Sequence, residues 1–191
     1  PPPPPPPKLA YLLSSTNGPG PNAGEENGAK SFSGRVEWLV TPESRLGMNA
    51  GFHDYPNPVT LRDAHAPAVA LDLEMGDLAE GFHLQAGVMT GENWLNLDGQ
   101  GEASRFLTWQ GIATYRIPVD GDGRVRAVEP LGRVSWGDPN RGASSDGGLV
   151  LTPGLVLHFQ GKNKMGVNLD VWRPQTGGTV WGLKAQTYLY F

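Results

Sequence analysis

Six basic residues hold most of the chemistry that this sequence offers: Arg35, Arg116, Arg124, Arg126, Arg133 and Lys184. With Lys164 and the acids Glu37, Asp72, Glu74 and Asp170 they share one parity of alternating segments, so they point to one side of a sheet. A water-filled lumen makes charge inexpensive there, and a field of fixed charges selects among small ions. Basic residues gather on the sixth, seventh and tenth expected strands, acids on the second, fourth and ninth, which implies a transverse field or an anion path along one wall. The six basic residues are the pore-lining candidates. The alternative is that inward Arg–Glu pairs plug a narrow barrel.

No catalytic constellation accompanies them, so no enzyme is expected. His53, His65, His83 and His158 are scattered, without HxxxH spacing or a carboxylate partner, and imply no metal site. His53, His83 and His158 fall at the same inward parity, as polar filler. Asp120-Gly121-Asp122-Gly123 starts like a calcium loop but lacks a later bidentate Glu, and is read as a hairpin turn. Ser144-Ser145-Asp146 has no base near it, and the GxG elements lie between strands with no helix to receive a phosphate. No cofactor is implied.

The elements that must position the charged residues are strands. The last eleven residues, WGLKAQTYLYF, alternate to the end: Trp181, Leu183, Ala185, Thr187, Leu189 and Phe191 on one face, Lys184, Gln186 and the tyrosines on the other. An aromatic ring beside the terminal carboxylate suits a membrane interface. About ten such strands are expected, at 8–16, 30–42, 45–55, 68–76, 81–91, 105–118, 124–136, 148–160, 164–174 and 179–191. Most reach the roughly nine to eleven residues with which a tilted strand crosses a bilayer. Short connections near 41–44, 76–80, 119–123 and 161–163 alternate with longer ones at 17–29, 55–67, 91–104 and 137–147, the asymmetry of periplasmic turns and external loops. In RVRAVEPLGRVSW the apolar parity slips by one, and Pro130 lacks an N–H, which predicts a β-bulge at Glu129–Pro130 with Arg124, Arg126 and Arg133 all pointing inward. The alternative leaves Arg124 and Arg126 solvated at the periplasmic end of that strand. Trp109, Tyr115, Trp136, Trp181 and Phe191 are the candidate membrane-interface aromatics, and Arg173 faces outward near a strand end, from where it snorkels to headgroups. The expected fold is all-β: an antiparallel transmembrane β-barrel of the outer-membrane type.

Composition agrees with that fold and closes other routes. The 191 residues include 27 Gly and 18 Pro but only 38% hydrophobic residues, low for a packed two-layer domain and suited to a sheet that is apolar outside and polar inside. A soluble β-sandwich or lipocalin-like barrel shares the same turn chemistry. Cysteine is absent, which removes disulfides and thiolate chemistry, and no apolar run is long enough for a transmembrane helix. The net charge of −4 offers no field for nucleic acid. The chain opens on Pro1 rather than Met, so no signal peptide is expected: it is either mature and trimmed or part of a longer one. Residues 1–7, all proline, form a segment of their own, a polyproline spacer of about 22 Å; residues 8–191 form the barrel.

Four stretches, NGPGPNAGEENGAKSFSGRVEW, RVRAVEPLGRVSWGDP, MGVNLDVWRP and the terminal YLYF, resemble the later strands of the phosphate-selective porins (the porin O and P family), collinearly from Leu9 to Phe191. The resemblance implies a trimeric channel of about 16 strands that takes up anions, phosphate especially, through an arginine-lined pore. About six further strands, with the constriction loop among them, would precede the residues matched. The constriction residues have no counterparts here, so the candidate wall arginines rest on parity alone. Passive diffusion of small solutes, anions such as phosphate among them, through an outer membrane of the Gram-negative type is the expected function, with the C-terminus periplasmic. Lipid, small anions and a homotrimer or larger envelope assembly are the expected partners. The alternatives are a non-conducting structural barrel that tethers an envelope partner through the proline run, and a soluble ligand-binding barrel.

Overall fold

In the computed structural model, residues 8–17, 30–121 and 123–190 are described. The expected roles of Pro1–Pro7 and Phe191 lie outside these residues. Ten strands follow one another: β1 (Leu9–Asn17), β2 (Lys30–Thr41), β3 (Ser44–Asn57), β4 (Arg62–Gly76), β5 (Gly81–Leu97), β6 (Ala103–Pro118), β7 (Val125–Asp138), β8 (Gly148–Phe159), β9 (Lys164–Pro174) and β10 (Val180–Tyr188). They form a single sheet in which every strand pairs with its sequence neighbours, all antiparallel. No helix among the described residues is long and apolar enough to cross a membrane, a statement that does not bear on strands.

The sheet is not closed. Among the described residues β1 pairs with β2 alone and β10 with β9 alone, so the closed barrel expected from sequence is corrected to an open ten-stranded sheet. Alternation reports which face a residue takes; it carries no information on whether two edges meet.

Two of the expected long loops are largely strand. The β3–β4 ladder continues outward to Asn57↔Arg62, and the β5–β6 ladder, after an irregularity between Asn93 and Leu97, to Leu97↔Ala103. Polar residues, Pro and Gly interrupt the apolar ones there, so apolar alternation fades while backbone pairing goes on. Side chains close the resulting tight turns. Asn57 Oδ1 accepts from the backbone N–H of Val59 (2.9 Å) and Thr60 (3.1 Å), while its Nδ2 donates to the Gly101 carbonyl (2.7 Å), joining the two hairpin tips. Asp98 Oδ1 accepts from the backbone N–H of Gln100 (2.8 Å) and Glu102 (2.9 Å).

The bulge in β7 is also displaced from its expected place. Pairing with β8 runs through Glu129 and Pro130, the register with β6 is the same on either side of them (Thr114↔Leu131, Ile117↔Val128), and the slip against β8 falls between Val125 and Ala127, leaving Arg126 as the extra residue. Ala127 explains the mistake. It sits opposite His158 on the polar face and is buried, yet in sequence it reads as one more apolar position.

Register sorts the side chains by polarity. One face carries Phe32, Val36 and Trp38 of β2; Leu107, Trp109 and Ile117 of β6; Leu151, Leu155 and Leu157 of β8; and Val167, Leu169 and Val171 of β9. These apolar side chains are largely the exposed ones: Trp38 is 52% and Leu183 67% exposed. The other face carries Arg35, Glu37, Asp72, Glu74, Arg133, Asp170 and Lys184, and its His83 (3%), Thr152 (4%) and His158 (4%) are buried. Polarity is therefore inverted relative to a domain with an apolar core.

Candidate functional site

The polar face holds its charges in two clusters. In the first, Arg35 of β2 reaches over β3 to Asp72 of β4. Its Nη1 lies 2.6 Å from Asp72 Oδ2 and its Nη2 2.8 Å from Oδ1, a bidentate fork. The same guanidinium donates to Glu37 (3.2 Å) and Asn49 (3.2 Å). Gly47 permits this crossing, because a Cβ there would stand 2.5 Å from Asp72 Oδ1 and overlap the Arg35 guanidinium. One cation thus faces two carboxylates.

The second cluster has the opposite balance. Asp170 of β9 lies between Arg133 of β7 (3.3 Å) and Lys184 of β10 (2.5 Å). Thr152 of β8 donates to Asp170 (2.5 Å) and accepts from Arg133 Nη2 (3.0 Å), filling the gap between β7 and β9. Here one carboxylate faces two cations.

Of the six basic pore-lining candidates, Arg35, Arg133 and Lys184 meet in these clusters. Arg116 is on the polar face at the short-turn end, where its Nη1 donates to the Leu78 carbonyl (3.4 Å). Arg124 stands in the β6–β7 turn, before the strand begins, and Arg126 is the bulge residue, donating to the Gly121 carbonyl (2.9 Å). Both are exposed, so the expected trio of inward arginines on one strand reduces to Arg133.

Three of the histidines do have carboxylate partners, contrary to the sequence reading. His83 Nε2 is 3.1 Å from Glu74, His158 Nε2 is 2.7 Å from Glu129 and His65 Nδ1 is 2.9 Å from Asp54. Each partner is on the neighbouring strand, nine to 29 residues away in the case of the first two, which is why linear spacing conceals them. Asn49, Thr152 and Glu129 are likewise not among the candidate site residues of the sequence reading. Asn49 and Thr152 carry a signal that could have found them, a polar residue at inward parity opposite a charged one, Arg35 and Arg133. No group of three or more His, Cys, Asp or Glu able to hold a metal occurs among the described residues.

The aromatic candidates on the apolar face pair across strands. Trp109 lies opposite Trp136, Tyr115 opposite Phe82 and Trp181 opposite Val171. The apolar positions run from Phe32 to Val40 on β2 and from Leu149 to Phe159 on β8, without a charged residue at the same parity. Toward the long-strand end this face turns charged: Asp54 opposite His65, Glu92 opposite Arg105, then Asp138 and Arg173. An apolar band of strand length thus ends at a charged rim. No family model, curated protein or solved structure matches the chain.

Proposed function

We propose that this sheet is the membrane-spanning wall of an outer-membrane, porin-like channel through which small hydrophilic solutes diffuse passively. One observation carries the reading. The exposed face is apolar over about the nine to eleven residues that a tilted strand needs to cross a bilayer, while the buried His83 and His158 and the ion pairs other than the rim pair Asp54–His65 occupy the other face. Exposing such a band to water would be costly, at about 25 cal/mol per Å² of apolar surface; lipid removes that cost. The charged rim then lies at the headgroups, with Trp109, Tyr115, Trp136 and Trp181 as the aromatic anchors. Unpaired edges are not tolerated in hydrocarbon, so β1 and β10 pair with further strands to complete the barrel. The resemblance to the phosphate-selective porins supports the same architecture, a trimer included.

Along the polar face the solute exchanges part of its hydration for hydroxyls, amides and charges fixed on the strands. The Asp170 cluster carries an excess of cation over carboxylate and favours anions on the β7–β10 side. The protein, extracted in detergent and inserted into planar bilayers, should give ohmic conductance steps with a reversal potential on the anion side under a KCl gradient. A protein that needs no detergent, or that inserts and does not conduct, defeats the channel reading. A cation-preferring channel defeats its anion component.

A further inference from the structure

The polar face also carries a cavity of about 420 Å³ between β1 and β5, within the range of small-molecule sites. Its lining is divided. Leu12, Ala66, Ala68, Ala70 and Met89 give an aliphatic floor, and Ser14, Ser31, Ser33, Asn49 and His53 a polar wall. The hydroxyls are held in place: Ser14 and Ser33 are hydrogen-bonded at 2.6 Å, and Ser31 Oγ lies 3.2 Å from His53 Nδ1 while accepting from the Asp54 N–H at 3.0 Å. The His53 ring is held from outside the lining, 4.7 Å from the ring of Trp94 and stacked parallel to Tyr55 at 6.4 Å.

Charge decides the class of ligand. Among the described residues that line it, the one Arg or Lys is Arg35, and its guanidinium is committed to Asp72 and Glu37. Two carboxylates about one guanidinium leave the neighbourhood net negative, which repels an anion. Serine hydroxyls donate and accept equally well, so they match a ligand whose own groups are hydroxyls. An aliphatic floor and the flat His53 ring suit the C–H face of a saturated ring. We propose that this cavity is a subsite for a neutral polyhydroxylated solute of the sugar or polyol class, separate from the anion-favouring cluster at Asp170. The subsite rests on the channel reading only for access, since solute reaches it through the lumen.

Equilibrium dialysis of the full chain in detergent against labelled glucose, with inorganic phosphate as the counter-probe, tests this without needing conduction. Saturable glucose binding at least tenfold tighter than phosphate is expected. Ser33→Ala should weaken it about three- to tenfold, the loss of a single neutral hydrogen bond; Ser33→Thr, which keeps the hydroxyl, should restore most of it. Circular dichroism confirms that each variant folds. Absence of saturable glucose binding, equal binding of phosphate, or a Ser33→Ala protein that folds and binds as before would overturn the subsite. A conducting protein that binds no glucose sinks the subsite and spares the channel; glucose binding without conduction sinks the channel and spares the subsite.

Discussion

Asp170 is where one atom's charge has the widest consequence, because Arg133 and Lys184 both rely on it. Asp170→Asn should leave two cations facing the lumen with no carboxylate between them. The anion-to-cation permeability ratio should then rise by a factor of about two to five, the Boltzmann weight of roughly 0.5–1 kcal/mol of water-screened field; reversal potentials under a KCl gradient measure it, and an unmoved potential would place Asp170 away from the ion path. A second carboxylate works on structure instead. Backbone N–H donors, Glu102 foremost and then Gln100, hold the Asp98 carboxyl below its ordinary range. Since the folded group titrates lower than the unfolded one, the stability it lends the turn is present above the ordinary carboxylate range and is lost as pH falls through the lowered folded value. The protection factors of the Gln100 and Glu102 amides, exchange rates corrected for intrinsic pH dependence, should therefore be high at neutral pH and fall on acidification, and Asp98→Asn should flatten that pH dependence.

Strands are the level at which sequence was most informative, and parity is the reason. Leu155 and Val156 are adjacent on β8, yet Leu155 pairs with Pro130 and Val167 on the apolar face while Val156 pairs with Glu129 and Gly166 on the polar one. In lipid vesicles Leu155→Arg should lower unfolding stability by about 2–4 kcal/mol, as for arginine on a lipid face near the midplane, whereas Val156→Arg should cost less than about 1 kcal/mol. Urea titrations of the two variants decide it, and equal losses would remove the lipid from the argument. Parity also limited the reading. It failed at Ala127, whose methyl is apolar but inward, and so moved the bulge from Arg126 to Pro130. It faded beyond Pro67 and Gly91, where β4 and β5 continue on backbone pairing capped by Asn57 and Asp98. The Arg35–Asp72 bridge and the His–Glu pairs were illegible for a related cause, since their partners are set by register across strands. A residue's face follows from its own strand; its partner follows from how two strands slide against each other.

At the scale of the whole molecule the open edges of β1 and β10 govern what the sheet can be. In hydrocarbon each unpaired N–H or C=O costs several kcal/mol, so a ten-stranded sheet with two bare edges is not stable across a bilayer. In water the same edges are tolerable, but the apolar band beside Trp38, Leu71 and Leu183 is not. The two constraints meet only if the edges are paired within the membrane. The prediction is in the backbone: in a bilayer, the amides of β1 and β10 that point away from β2 and β9 should exchange as slowly as those of the central β5–β6 ladder. Edge amides that exchange freely while β5 and β6 stay protected would mean that the sheet ends in water, and the membrane-wall reading would fall with them.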